Sequence, residues 1–167
     1  MRKLFYVDEF FPKSTYNLFS SMAPDLSYRD TNSAKRSFCT DDIKTWSPFL
    51  HDTFVDNAEE VFGIEILDAT IYFYKRNNTI YNAHTDGCKL NLLVYLQGEI
   101  EDLDNGTFFL NKEKTALRSS NIPNSAYLFD GNIKHGSVQA LYNDGEKTGW
   151  RYSLNCFIWS YNKTGWI

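Results

Sequence analysis

The sequence is short of the residues that usually announce a special class. Cysteine occurs three times, at Cys39, Cys88 and Cys156, an odd number without zinc-type spacing. That argues against a disulfide framework and a cysteine-ligated zinc site, and for buried or free thiols in a reducing, cytoplasmic setting. A long apolar run is missing, which argues against a membrane-spanning helix. Acids interrupt "MRKLFYVDEFF" too early for a secretory signal. Positive charge is scarce: 17 Lys and Arg stand against 21 Asp and Glu, a net charge of −4. The chain therefore has no general attraction for nucleic acid or anionic membrane. Lys35-Arg36 and Lys75-Arg76 are too short to make a binding stripe. Internal repeats, low-complexity segments and an interdomain linker are also absent. Aromatic and apolar residues are plentiful instead, at 17% and 43% of 167 residues. That is enough for a single domain, 1–167, with a substantial core.

The chain has two textures. In residues 1–63, helical signals dominate. "FPKSTYNLFSSMAPD" carries Pro12 early, apolar residues near helical spacing and Pro24 as a stop. "SPFLHDTFVDNAEEVFG" is clearer, with Ser47 as N-cap, Pro48 in the first turn and Gly63 after the end. Between them "YRDTNSAKRSFCTDD" reads as a long polar loop, a class that often carries function. Tyr28–Phe38 of this stretch is therefore a candidate lid, together with "YKRNNTIYN". From 64 to 160 the runs are short, β-branched and aromatic, separated by turn signals such as Asn105-Gly106, Pro123-Asn124 and Asp144-Gly145. The expectation is a mainly β fold, a sandwich or barrel with the early helices packed on one sheet.

Histidine is scarce too, with only His51, His84 and His135. His51 lies mid-helix and reads as a partly exposed helical residue. In "YNAHTDGCKLNLLVYL" His84 and Asp86 alternate along an extended chain, so both point to one side with Cα atoms roughly 6–7 Å apart. His135 follows the strand and turn of "AYLFDGNIK" and precedes a strand expected from Gly136. Two imidazoles and one carboxylate can occupy one face of an octahedron, a set suited to non-haem Fe(II). Taken singly, His84 could be a surface histidine, Asp86 a turn cap before Gly87 and Arg151 an exposed strand residue. Cys88 reads as a packing thiol. "GEIEDLDNG" lacks EF-hand spacing and reads as a solvated loop.

The order His84-x-Asp86, His135, Arg151 resembles the Fe(II)/2-oxoglutarate-dependent oxygenases, particularly their prolyl 4-hydroxylase-like branch. The likeness runs over about residues 70–160. It rests on "YKRNNTIYNAHTDG", "LNLLVYLQ", "NGTFFL", "SAYLFDGNIKHGS" and "GWRYSLNCFIW" in that order. "YNDGEKTG", between His135 and Arg151, is longer than that branch commonly has. The resemblance implies a double-stranded β-helix, the jelly-roll or cupin-like core, over 64–160, with 1–63 as helical support. It implies Fe(II) held by His84, Asp86 and His135, and 2-oxoglutarate and O2 as cosubstrates. It further implies that Arg151 and Ser153 receive the far carboxylate of 2-oxoglutarate, that Tyr95 matches a tyrosine touching the same group, and that Tyr74 lines the site. Tyr81 and Asn91 are further lining candidates. The implied activity is hydroxylation of a C–H bond with release of succinate and CO2. A peptide or protein side chain, prolyl above all, is the favoured substrate. A nucleic acid, a nucleotide or a small metabolite is the alternative, and a cupin-like binding module without turnover is the non-enzyme reading.

Overall fold

The helix signals act where the caps stand. In the computed structural model, which describes residues 4–32, 37–77, 83–99, 106–110, 116–137 and 149–164, Ser47 Oγ accepts the Leu50 N–H at 3.4 Å. Pro48 follows in the first turn, and Gly63 ends the helix at φ 61° with its N–H on the Glu59 carbonyl. This is α3, Pro48–Phe62; α1 is Lys13–Met22 and the short α2 Ile43–Trp46. Leu50, Phe54, Ala58 and Phe62 recur every fourth residue along α3 and are buried, the stripe that a core-facing helix requires.

Ten antiparallel strands form two sheets among the described residues. They are β1 (Leu4–Val7), β2 (Arg29–Asn32), β3 (Ser37–Cys39), β4 (Ile64–Arg76), β5 (Leu90–Tyr95), β6 (Thr107–Leu110), β7 (Ala116–Arg118), β8 (Ala126–Asp130), β9 (Lys134–Ser137) and β10 (Arg151–Lys163). The large sheet runs β1-β8-β5-β10-β4-β3-β2 and the small one β7-β6-β9. This is the expected mainly β architecture with helices packed on one sheet.

The large sheet is buried on both faces at its centre, and alternation decides which side chain goes where. Leu90, Leu92 and Val94 of β5 join Phe11, Phe19, Phe54 and Phe73 in the core under the helices. Leu93 and Tyr95, on the opposite face, join Phe109, Tyr127, Phe129 and Ile133 between the two sheets. Asn124 clamps the chain entering α1. Held at φ 65°, its side chain accepts from Phe11 N and donates to Phe11 O, both at 2.9 Å.

The sequence reading needs several corrections. The first 63 residues are more than helical support, since β1, β2 and β3 are strands of the large sheet. The stretch 28–42, expected as a loop, contains the paired strands β2 and β3, with 33–36 outside the described residues. Polar composition misled here because an edge strand needs no apolar face. Lys75 fixes this edge to β4: its Nζ lies 4.6, 5.6 and 5.0 Å from the ring centres of Tyr28, Phe38 and Trp150, within cation–π range. His51 is buried, with Nδ1 3.0 Å from Asp52 Oδ1. His135 lies inside β9, which begins at Lys134. The expected Asp144-Gly145 turn and Tyr81 fall outside the described residues.

Burial also sets an alkaline limit. It raises the phenols of Tyr127 and Tyr152 from 10.0 to about 12, helped by Tyr95 and Tyr6 for the first and by the Glu99 carboxylate for the second. The fold holds both phenols neutral, whereas the unfolded chain gives up the protons near its ordinary value. Their contribution to stability is therefore complete below pH 10.0 and falls as pH rises towards about 12. The urea midpoint should drop between about pH 8 and about pH 11, and drop less in a Tyr127→Phe/Tyr152→Phe protein. Equal drops would assign the alkaline sensitivity to other groups.

Candidate metal centre

The two sheets meet at the site. His84 and His135 pair as an isolated antiparallel bridge, each backbone N–H donating to the other's carbonyl at 2.9 Å. His135 is held on its other side by Phe109 of β6. Asp86 follows two residues after the bridge, its N–H on the Gly131 carbonyl at 3.2 Å. Gly87 then turns the chain at φ 72°, a left-handed conformation that glycine adopts without strain. Gly131 lies so close to the Cys88 backbone that a Cβ there would meet the Cys88 carbonyl at 2.2 Å. That close approach packs the turn carrying Asp86 against the end of β8.

The side chains converge. Asp86 Oδ1 is 3.4 Å from His84 Nε2, and Oδ2 is 3.2 Å from His135 Nε2. One ligand-type atom from each of the three lies within 4.8 Å of the others. Asn91 Nδ2 donates to Asp86 Oδ2. His135 Nδ1 is 3.0 Å from the Ile133 carbonyl; a carbonyl only accepts, so Nδ1 donates there and Nε2 is the ring nitrogen turned to Asp86. Burial pushes the Asp86 carboxyl up, but hydrogen bonds from His135, His84 and Asn91 with the charge of His135 outweigh it and hold the pKa well below the ordinary value. Asp86 is thus a carboxylate at neutral pH. Two imidazole nitrogens and one carboxylate oxygen, oriented toward one point, fit a divalent metal of the Fe(II) or Mn(II) type, which would displace any proton shared between them. Cys88 stays a packing thiol: burial and the Asp86 charge push it to about 12.

A cavity of about 230 Å³ opens over these ligands. Tyr74, His84, Asp86, Asn91 and His135 line it. Arg151 is buried at the start of β10 and spans the two sheets, Nη1 donating to the Gly106 carbonyl at 3.0 Å and Nη2 to Ser137 Oγ at 3.2 Å. Ser137 is itself in the cavity wall. Ser153 and Tyr95 bond to wall residues. Ser153 Oγ donates to Asn155 Oδ1 at 2.9 Å, and Tyr95 Oη donates to Thr107 Oγ1 at 2.8 Å with Ser119 Oγ at 3.0 Å. Sequence reasoning passed over Arg76, Ser137 and Phe157, which also line the cavity. Arg76 and Ser137 each lie two residues beyond a named site residue on the same strand, so strand alternation could have found them.

No family model matches this sequence, and no curated protein matches it. Solved structures do match over nearly the whole chain. A prolyl-4-hydroxylase from Pseudomonas putida superposes with a TM-score of 0.70 at 11% identity, covering 99% of this chain and 95% of its own. A prolyl hydroxylase from Trichoplax adhaerens, in complex with a hypoxia inducible factor oxygen degradation domain peptide fragment, gives 0.71 at 13%, covering 96% and 83%. HygX from Streptomyces hygroscopicus, with nickel, 2-oxoglutarate and hygromycin B bound, gives 0.66 at 13%, covering 98% and 84%. With its His-Asp-His cluster between two antiparallel sheets, the chain has the double-stranded β-helix fold of the 2-oxoglutarate and Fe(II) oxygenases, prolyl hydroxylases among them.

Proposed function

We propose that this chain is an Fe(II)- and 2-oxoglutarate-dependent dioxygenase that hydroxylates a C–H bond on a peptide or protein side chain, prolyl residues first. The observation that carries the reading is one cavity with a two-histidine, one-carboxylate cluster in its wall and a buried arginine bonded to that same wall through Ser137. The overall change would be R–H + O2 + 2-oxoglutarate → R–OH + succinate + CO2. Iron with bound 2-oxoglutarate supplies the oxygen activation and the two-electron oxidation of the cosubstrate.

The chain's own residues do the rest. His84, Asp86 and His135 would hold the metal. Asn91 and the Ile133 carbonyl fix the orientation of Asp86 and His135. Arg151, with Ser153 beside it on the same strand face, receives the far carboxylate through a planar fork suited to that group. Phe109, Phe129 and Tyr127 close the space between the sheets with apolar surface, which excludes water from the reacting centre. The small cavity favours a substrate that presents one side chain while the rest stays outside: about 230 Å³ is below the roughly 300–1,000 Å³ of sites that enclose a whole drug-sized ligand.

The test is succinate formation by the Fe(II)-loaded protein, with proline-containing peptides, oligonucleotides and small metabolites as separate panels. Peptide-dependent succinate with a matching gain of one oxygen in the peptide is expected. Stimulation by oligonucleotides or metabolites alone would move the substrate class. Metal and 2-oxoglutarate binding with no succinate above background in any panel would make the chain a binding module.

A further inference from the structure

The cavity over the metal cluster continues outward along the large sheet as a row of aromatic rings. Phe157 of β10 is in the cavity wall. It is the direct cross-strand partner of Asn91, whose side chain bonds Asp86. From Phe157 the row reaches Tyr72 of β4, 6.0 Å between ring centres, and Trp159, 6.4 Å away and stacked at 26°. All three lie on the cavity side of the sheet, because Ile71, Phe73, Cys156 and Ile158 alternate with them and face the core under the helices. Trp159 is the solvent end of the row, 41% exposed.

An irregularity of the sheet places that indole. Ile158 pairs with Ala69 and Ser160 with Asp68, so Trp159 is an extra residue on β10. A bulge of this kind re-aims a side chain, and bulges gather beside active sites. The indole is then fixed, with Nε1 donating to Thr70 Oγ1 at 3.2 Å. Its N–H being used within the sheet, the ring offers a partner an apolar π surface.

The chemistry of the row selects its occupant. Thr70, Tyr72, Asn155, Phe157 and Trp159 share this face and none is charged, so a phosphate backbone finds no cation along it. The cavity of about 230 Å³ takes one side chain and leaves the flanking substrate outside, where the row begins. Ring-to-ring steps of 6.0 and 6.4 Å match two residues of a polyproline II chain, at about 3.1 Å each. Such a chain is preformed and docks on aromatic grooves with little loss of entropy.

We propose that Tyr72, Phe157 and Trp159 form a docking row for a proline-rich segment of the substrate, beside the residue that enters the cavity, with Trp159 as its specificity-determining anchor. The proposal rests on the peptide reading of the cavity, and the test separates the two. Decaproline is titrated into the protein in the presence of Ni(II) and 2-oxoglutarate; a Gly-Ser decapeptide, a short oligothymidylate and maltopentaose are titrated beside it. Decaproline should bind and should shift the indole N–H resonance of Trp159, identified by its absence in Trp159→Phe. Trp159→Ala should weaken decaproline by about tenfold or more, the loss expected of an aromatic anchor, and Trp159→Phe should weaken it by less. Ni(II) and 2-oxoglutarate affinities should be unchanged in both. Trp46→Phe, at an exposed tryptophan of α2, should bind decaproline as the wild type does. Circular dichroism checks folding.

Wild-type affinity for decaproline in folded Trp159→Ala overturns the row, and so does an indole signal that decaproline leaves in place, whatever the variants do. Equal binding of the Gly-Ser peptide, or tighter binding of the oligothymidylate or maltopentaose, also overturns it. Wild-type protein that binds Ni(II) and 2-oxoglutarate but not decaproline overturns the row and leaves the oxygenase reading standing. Protein that binds decaproline through Trp159 but neither Ni(II) nor 2-oxoglutarate keeps the row and overturns the oxygenase reading.

Discussion

His135→Ala protein is expected to fold, to lose its divalent metal and to make no succinate. The fold should survive because the strand pairing at this position uses the backbone: residue 135 exchanges two hydrogen bonds with His84 and pairs with Phe109, and an alanine keeps all of these. The side chain's Nε2 lies 3.2 Å from Asp86 Oδ2 with its ring oriented by the Ile133 carbonyl, so its deletion takes one of the three ligand-type groups from the cluster. Removing an outer partner of a metal ligand costs about 10–100-fold in affinity; removing the ligand itself should cost more than about a hundredfold. Metal content after dialysis, read beside circular dichroism, checks this. Folded His135→Ala that retains wild-type iron affinity would dismiss the cluster as a metal site. Asp86→Ala should lose hydroxylation too, and it also strips Asn91 of its acceptor.

Arg151→Met is expected to leave metal content nearly unchanged and to weaken 2-oxoglutarate steeply. Taking one partner from a buried, hydrogen-bonded charge pair costs about 2–5 kcal/mol, a factor of roughly 30 to several thousand in affinity. The Michaelis constant for 2-oxoglutarate should rise accordingly. Arg151→Lys keeps the charge and loses the fork that now reaches both Gly106 and Ser137, so it should fall between the two. Tyr95→Phe should move in the same direction by less, since the Tyr95 hydroxyl acts only through Thr107 in the cavity wall, and Thr107 and Ser119 still bond through Thr107 N and Ser119 Oγ. An unchanged Michaelis constant in folded Arg151→Met would place the carboxylate elsewhere in the cavity.

Much of this site could be read from the chain because its chemistry limits the choice. Three histidines leave few ways to assemble a metal cluster, and strand alternation puts His84 and Asp86 on one face before any partner is known. The caps around α3 and the long apolar alternation of β4 and β10 are likewise local signals. β1 is not local. Leu4–Val7 is a strand because β8, far along the chain, offers an edge to it, and four residues carry too little pattern to reveal that. β2, with the sequence RDTN, contradicts its own propensity and is a strand only through pairing with β3. The bonding of Tyr95 was hidden for a similar reason. Its hydroxyl partners come from β6 and from Ser119, after β7, and which of them a buried phenol meets is a matter of packing between sheets.

The place of β10 in the large sheet has a consequence for biosynthesis. β10 is the last described strand to leave the ribosome, and it is the strand that joins β5 to β4. Before Arg151–Lys163 emerges, the nascent chain carries β4 and β5 with nothing between their inner edges. Such edges template wrong pairing and invite capture by chaperones. Sheet closure therefore waits for β10. The strand that closes it also carries Arg151, so the arginine reaches Ser137 in the cavity wall in the same event that completes the sheet.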